Sequence, residues 1–143
     1  MKSLIHRIKT FWNTPIKRKV LVLKVISLSI YRGYLVLIKS PNAFSEKIVI
    51  KNFSTIQLSQ QQFEESRDIA FAVQTAAKYI PWPNACRHQS WQAIQLLKKQ
   101  NIPFTYFVGV KKNNPVEGHS WVIVGDRFIC GFCDLKEYHQ ITY

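Results

Sequence analysis

The sequence is poor in cysteine, glycine and acidic residues, and each scarcity excludes a class of protein. Its three cysteines cannot all pair, and the chain does not open with the charged, apolar and small-residue succession of an export signal. We therefore expect free thiols in a reducing cytoplasm. Five glycines provide no Gly-rich phosphate-binding loop, and no internal repeat or low-complexity stretch is present.

The basic residues are concentrated in the first third of the chain. At 143 residues, with 47% hydrophobic and 13% aromatic residues, the sequence is long and apolar enough for one folded domain. The net charge is +12, and residues 1–51 contribute +10, because they hold eleven Lys and Arg residues against one acidic residue, Glu46. We therefore divide the domain into a basic helical N-terminal arm, residues 1–55, and a core, residues 56–143.

The remainder of the chain argues against nucleic acid as a partner. Residues 52–143 carry only +2, and the aromatic residues are not interleaved with the basic ones. A nucleic-acid interface needs clustered positive charge, so we expect none here.

An apolar run at residues 20–38 has the length of a membrane span but holds two basic residues. Lys24 and Arg32 would each cost roughly 2.5 to 3.5 kcal/mol near the centre of a bilayer. We therefore expect a largely buried helix that begins after Pro15 and ends before Pro41, with the basic stems reaching to water. The alternative is an amphipathic segment that lies on an anionic membrane or docks an acidic partner.

Two more helices follow the arm. Ser59 and Gln62 have the spacing of a capping box, and the apolar residues after them recur with a helical period, which predicts a helix over residues 60–79. Asn84 is the expected N-cap of the next helix, which ends near Gln100.

The pattern changes after the third helix from helix to strand. Residues 104–111, 119–124 and 127–130 predict three strands, and Gly125-Asp126 predicts a two-residue hairpin turn between the last two. The fold class is therefore α+β, with helices first and an antiparallel sheet at the end.

Cys86 is a candidate nucleophile because it lies at the start of a helix. With Asn84 as N-cap, it falls at about the second helical residue, where free backbone amides and the helix dipole favour an anion. Such a position lowers the pKa of a thiol and offers the same amides to the oxyanion of a tetrahedral intermediate. Position alone leaves a second interpretation open, in which Cys86 is a small buried hydrophobic residue.

His119 is the candidate base among the four histidines. It opens a strand about thirty residues after the helix-borne Cys86, an arrangement that a Cys/His nucleophile pair requires. His88 is two residues from the cysteine on the same helix, so we expect it to point away and to be exposed. His6 and His139 lack a patterned context.

Asp134 is the candidate for orienting the imidazole. With a two-residue hairpin turn, His119 lies opposite Phe132 and Asp134 is diagonal to it. A register shifted by one residue would turn Asp134 away and leave Gly131 facing the histidine, so the site would then be a Cys/His dyad. Asp126 is expected to act only as a turn residue, and Glu117, in the loop before the strand, is expected to be solvated.

A set of short motifs runs from about residue 80 to residue 131. It comprises Pro81-Trp82, Cys86, Ser90, Leu96-Leu97, Asn101-Ile102-Pro103, Gly109-Val110 and His119-Ser120-Trp121-Val122. Together these motifs resemble the transglutaminase-like cysteine peptidase of lasso peptide biosynthesis, the leader-cleaving B protein in its split form. The resemblance implies a transglutaminase/papain-like core whose Cys-bearing helix packs on the antiparallel sheet. Two positions depart from the family's pattern: Arg87 stands where Leu is common, and Gly131 stands near the expected Asp.

The resemblance implies a peptidase that removes the leader from a ribosomally made precursor peptide. Its catalytic residues would be Cys86, His119 and Asp134, with no cofactor and no metal. Fused members carry an extra leader-binding domain, for which 143 residues leave little room. The expected partners are therefore the precursor, a separate small leader-recognition protein and an ATP-using lasso cyclase that closes the freed core. We expect a cytoplasmic protein, with peripheral contact to the inner face of the membrane through its arm.

Three other functions fit parts of the sequence. The same Cys/His pair on the same fold could transfer an acyl group to an amine, as transglutaminases and arylamine acetyltransferases do. Cys130 and Cys133, in "CGFC", could bind a metal or act in redox chemistry, although a structural zinc needs two more ligands. The basic arm could also belong to a non-enzymatic protein that binds a membrane surface.

Overall fold

The computed structural model describes residues 13–38 and 57–141, and the backbone alone at 114–116. Predictions that concern residues 1–12 and 39–56, including those for His6, lie outside the described residues. The division of the chain into an arm and a core remains a prediction.

Three helices form the first part of the described fold. Helix α1, Ile16–Ile38, begins directly after a proline, as predicted. Helix α2 is Gln60–Tyr79, and its capping box is confirmed: Ser59 Oγ accepts from the amide of Gln62 at 3.1 Å, and Gln62 Oε1 accepts from the amide of Ser59 at 3.1 Å. Helix α3 is Cys86–Lys99.

Helix α1 packs on α2 along one face only. Val25 on that face is fully buried, and Arg18 Nε donates a hydrogen bond to Asp68 Oδ1 of α2 at 2.7 Å. The opposite face is open to solvent, where Leu37 is 87% exposed and Ile16 is 74% exposed. The prediction of a largely buried helix is therefore correct for one side of α1 and wrong for the other.

Four antiparallel strands form one sheet. They are β1 Thr105–Lys111, β2 Asn114–Val124, β3 Arg127–Cys130 and β4 Tyr138–Ile141, with a 3-10 turn at Leu135–Glu137 before β4. Their order across the sheet is β3-β2-β1-β4. The predicted two-residue turn between β2 and β3 is confirmed, since Val124 pairs with Arg127 and Gly125 has a φ of 60°. Strand β4 was absent from the sequence prediction.

A bulge in the β2–β3 hairpin changes the register near the predicted site. The register pairs Ile123 with Phe128 but Val122 with Cys130, which inserts one residue into β3. As a result, two successive residues at the end of β3 are both buried. The register predicted for His119 from the length of the turn alone is therefore wrong by one residue.

The core lies between the sheet and helices α2 and α3. Helix α2 packs on β3, and α3 packs on β2 and β3. Every layer contributes fully buried side chains to this core, among them Ile69, Val73, Leu97, Val122 and Ile129. The fold is therefore α+β, with the Cys-bearing helix packed on an antiparallel sheet, as predicted.

Candidate active site

Cys86 is the first residue of helix α3. The N-cap is Ala85, which makes no side-chain capping hydrogen bond, so the cap predicted at Asn84 is wrong by one residue. Asn84 instead ties the preceding loop to the helix: its carbonyl accepts from Gln89 Nε2 at 2.8 Å, and its Oδ1 accepts from Gln92 Nε2 at 3.2 Å. Cys86 thus lies one residue nearer the N-terminus of the helix than predicted. It is still in the first turn, where the backbone amides lack intrahelical partners.

A small buried polar cluster lies one helical turn after Cys86. Ser90 Oγ is 3.2 Å from Ser120 Oγ and 3.7 Å from Cys130 Sγ, and all three residues are buried. Tyr106 of β1 lies next to Ser120, and burial raises the pKa of its hydroxyl. Burial also raises the pKa of the Cys130 thiol, to about 11. These contacts connect the beginning of α3 to three strands of the sheet.

His119 lies against two aromatic side chains. The centroid of its ring is 6.1 Å from that of Trp121 and 5.3 Å from that of Tyr138. Its Nε2 is 3.1 Å from the carbonyl oxygen of Gly131. Because a carbonyl oxygen only accepts, this bond places the proton of the neutral imidazole on Nε2 and leaves the lone pair on Nδ1.

Cys86 and His119 lie toward the same end of the domain. Ser90, one helical turn after Cys86, has its Oγ 3.2 Å from Oγ of Ser120, the residue next to His119, so the start of α3 lies beside this part of β2. His119 and Ser120 are neighbours in β2 and point to opposite faces of the sheet. Since Ser120 faces α3, His119 faces away from it, and within the described part of the chain no hydrogen bond joins His119 to Cys86.

Gly131 cannot carry a side chain in this fold. Its φ is 70°, and a Cβ there would overlap the carbonyl oxygen of Ser120 and lie 2.8 Å from Cα of Trp121. Backbone therefore occupies the position near which the resemblance expects an Asp, and its carbonyl oxygen contacts His119.

Asp134 makes no hydrogen bond to His119 among the residues that the structure describes. Its carboxylate is exposed and accepts from the amide of Lys136 at 3.0 Å, as N-cap of the 3-10 turn. The bulge removes the register on which the predicted contact depended, so the expectation of a direct hydrogen bond is not met. Asp126 is exposed in the hairpin turn, and Glu117 pairs with a lysine of β1 at 3.5 Å.

The two cysteines of "CGFC" have different surroundings. Cys130 ends β3 with its thiol in the core, whereas Cys133 is partly exposed, and both thiols are free. The pKa of Cys133 is raised by burial and by the carboxylates of Asp134 and Glu137. The residues in 13–38 and 57–141 include no group of three or more His, Cys, Asp or Glu side chains placed to hold a metal ion.

Helix α1 packs near the start of α3, and this packing was not predicted from the sequence. Trp82 Nε1 donates to Ser29 Oγ at 2.9 Å, and the buried Arg32 lies over the ring of Trp91 at 5.1 Å. His88 is half-buried, not exposed as predicted, and its pKa is lowered by burial and by the charge of Arg32. The interruption of an apolar run by Arg32 is the signal in the sequence that could have indicated this packing.

Comparisons with known proteins identify a family for this chain. No curated protein and no solved structure matches the chain. A family model described as the transglutaminase-like superfamily matches residues 40–143. The matched region contains α2, α3 and the whole sheet, and with them both Cys86 and His119.

Proposed function

The chain belongs to the transglutaminase-like superfamily, and from this membership we propose that it is a cysteine peptidase that removes the leader from a lasso peptide precursor. The superfamily indicates a cysteine-based enzyme, and the motifs around Cys86 and His119 support the lasso peptide specificity. The observation that carries the proposal is the position of these two motifs. "CRHQS" opens α3 and "HSW" lies in β2, and the two motifs touch through Ser90 and Ser120, whose Oγ atoms are 3.2 Å apart.

Cys86 is the nucleophile in this proposal. Its thiolate attacks the carbonyl carbon of the scissile bond, and the first amides of α3 receive the oxyanion. His119 takes the thiol proton and gives it to the leaving amine, so the core peptide departs with a free N-terminus and the leader stays as a thioester. Water, deprotonated by the same imidazole, then releases the leader as a carboxylic acid. One water is consumed for each peptide bond broken.

The carbonyl oxygen of Gly131 takes the place of an orienting carboxylate. It holds the proton on Nε2 of His119, so that Nδ1 is the nitrogen available to Cys86. His119 faces away from α3 in this structure, so cleavage requires a rearrangement on precursor binding that brings its Nδ1 within hydrogen-bond reach of Cys86 Sγ. We therefore propose a Cys/His dyad in place of a triad with Asp134.

The proposed reaction has three partners. The precursor peptide is the substrate, a separate small leader-recognition protein presents it, and a lasso cyclase closes the freed core. We place the reaction in the cytoplasm, where the three free thiols would persist.

Incubation of the purified chain with a lasso precursor, with and without a leader-recognition protein, tests the proposal by mass spectrometry. We expect two products whose masses sum to that of the precursor plus one water, formed faster when the recognition protein is present. A product that has gained an added amine instead of water would identify acyl transfer. An unchanged precursor in both reactions would contradict the proposal.

A further inference from the structure

Helix α1 exposes large apolar side chains along its whole length. We define the apolar stripe as Ile16, Leu23, Ile30, Tyr31, Tyr34 and Leu37, each of which is 54% exposed or more. Their spacing of mostly three, four and seven residues places them on one side of the helix, over about 32 Å by the helical rise. An exposed apolar surface of this length is typical of a protein that binds a partner or a membrane.

The opposite face of α1 is fastened to the domain by polar contacts. Arg18 pairs with Asp68 of α2, Ser29 accepts from Trp82, and the buried Arg32 lies over Trp91. By length and composition α1 could cross a bilayer, with a mean hydropathy of 1.8 in its most apolar window. Crossing would detach these contacts and draw Arg32 into hydrocarbon, so the packing favours a helix that lies along a surface.

Positive charge lies beside the stripe. A groove between α1 and α3 is lined by three lysines, Lys24, Lys98 and Lys99, and none of its lining residues in the described part of the chain is acidic. Leu23 and Tyr31 belong to both the groove and the stripe, so the apolar and basic surfaces are continuous. Residues 1–51 carry +10 in total, which gives the whole arm the same sign.

We propose that α1 lies in the interface of an anionic bilayer. The stripe inserts at the boundary of headgroups and acyl chains, and the groove lysines pair with the anionic headgroups. A partner's acidic amphipathic helix would fill the groove, but it would leave uncovered the two ends of the stripe, Ile16 and Leu37, which are its most exposed residues and do not line the groove. A bilayer covers both, and this inference does not depend on the proposed function.

Sedimentation of the full chain with lipid vesicles tests the proposal. We expect the protein to pellet with vesicles of phosphatidylcholine and phosphatidylglycerol, and at least tenfold less with phosphatidylcholine alone. Added salt should weaken binding, because the electrostatic part of the attraction is screened. A protein that stays in the supernatant with the anionic vesicles would overturn the proposal.

Variants of the stripe separate the apolar contribution. The triple variant Leu23→Gln, Ile30→Gln, Leu37→Gln should lower the partition coefficient at least tenfold, because it removes three inserted side chains. Its control replaces exposed apolar residues outside α1, Tyr79→Gln with Leu135→Gln, and should bind as the wild type does. Equal loss in both variants, or none in the triple variant, would overturn the assignment. Circular dichroism confirms that each variant is folded.

Variants of the lysines separate local charge from net charge. Lys24→Glu with Lys98→Glu and Lys99→Glu should abolish the preference for anionic vesicles. The matched control makes the same change in net charge at three exposed lysines elsewhere, Lys78→Glu, Lys112→Glu and Lys136→Glu. Equal loss in the two variants would show that position does not matter and would overturn the proposal. A wild-type dimer that the stripe variant converts to monomer, without vesicle binding, would assign the face to a second copy of the chain instead.

Discussion

The two faces of strand β2 are built from different kinds of side chain. Toward α3, Ser120 meets Ser90 in a small polar cluster that is fully enclosed. On the other face, His119 lies among the rings of Trp121 and Tyr138 and makes its hydrogen bond to backbone. Small side chains let a helix approach the sheet closely, whereas large aromatic side chains hold the imidazole ring in place by stacking.

This difference teaches that each half of the proposed dyad has its own support. Packing of α3 on one face fixes Cys86, and stacking with one carbonyl on the other face fixes His119. The two supports share no side chain, although they meet in the backbone of β2. A substitution on one face should therefore leave the packing of the other face intact, so variants can test the two faces separately.

The largest effect on activity is expected from Cys86, which is supported by the face of β2 that packs on α3. Cys86→Ala should lower the rate of precursor cleavage by at least about 10³-fold, because the pair acts as a unit and the variant has no nucleophile. Single-turnover mass spectrometry measures this rate. Cleavage at the wild-type rate would remove Cys86 from the mechanism.

Cys130→Ala is the control for the same face. It should retain activity within a few-fold and lower the free energy of unfolding by about 1 kcal/mol, because it shortens a buried side chain by one atom. Iodoacetamide at neutral pH should label Cys130 last of the three cysteines, since its thiol is buried and has a pKa of about 11.

The next largest effect on activity is expected on the face of β2 where His119 lies among aromatic rings. His119→Ala should lower cleavage by roughly 10²- to 10³-fold, because it removes the base but leaves the thiol and the helix amides. Asp134→Asn should cleave within a few-fold of wild type, since the carboxylate caps an exposed turn and Asn caps almost as well. A loss in Asp134→Asn as large as in His119→Ala would restore the triad.

A smaller effect, on stability, is expected at Gly131, where the two faces meet. Gly131→Ala should lower the free energy of unfolding by about 2 to 4 kcal/mol, because its Cβ would overlap Ser120 and its φ of 70° disfavours a side chain. Gly118→Ala is the matched control one residue before His119, where a Cβ would have open space. Urea denaturation measures both, and equal stabilities would show that the bulged backbone can yield.

The smallest effect is expected at His88, which belongs to neither face. Its pKa in the folded chain is below the ordinary value of about 6.5, because burial and Arg32 disfavour the charged ring. The unfolded chain therefore binds more protons below pH 6.5, so this contribution is complete above pH 6.5 and is lost as the pH falls toward the folded value. His88→Gln should flatten the fall in stability measured by urea denaturation over about pH 5 to 7. An unchanged slope would show that His88 titrates alike in both states.

The helices and the hairpin turn were predictable because their signals are local. The capping box at Ser59 needs only two residues three positions apart, and the turn at Gly125 needs one residue that tolerates positive φ. Cys86 and His119 were chosen from similar local patterns, the start of a helix and the alternation of a strand, and their catalytic roles remain predictions.

The bulge and the last strand were not predictable because they depend on packing. An inserted residue in β3 leaves the turn unchanged, and its benefit is the simultaneous burial of two successive side chains against α2 and α3. Strand β4, Tyr138–Ile141, is a four-residue edge strand with two exposed polar residues, so its sequence carries no alternation of its own. The hydrogen bond predicted between Asp134 and His119 depended on that register and is not formed among the described residues.

Because the hydrogen-bond acceptor for His119 is a backbone carbonyl, the site should respond to mutations differently from one that uses a carboxylate. A carboxylate is specified by its own codon and is lost when that codon changes, whereas the oxygen at Gly131 is present in every peptide unit. Only a change in the path of the chain can remove it, and glycine is the residue that permits this path. In a saturation library selected for cleavage, position 131 should therefore tolerate no replacement, although its side chain does no chemistry, while position 134 should accept most polar residues.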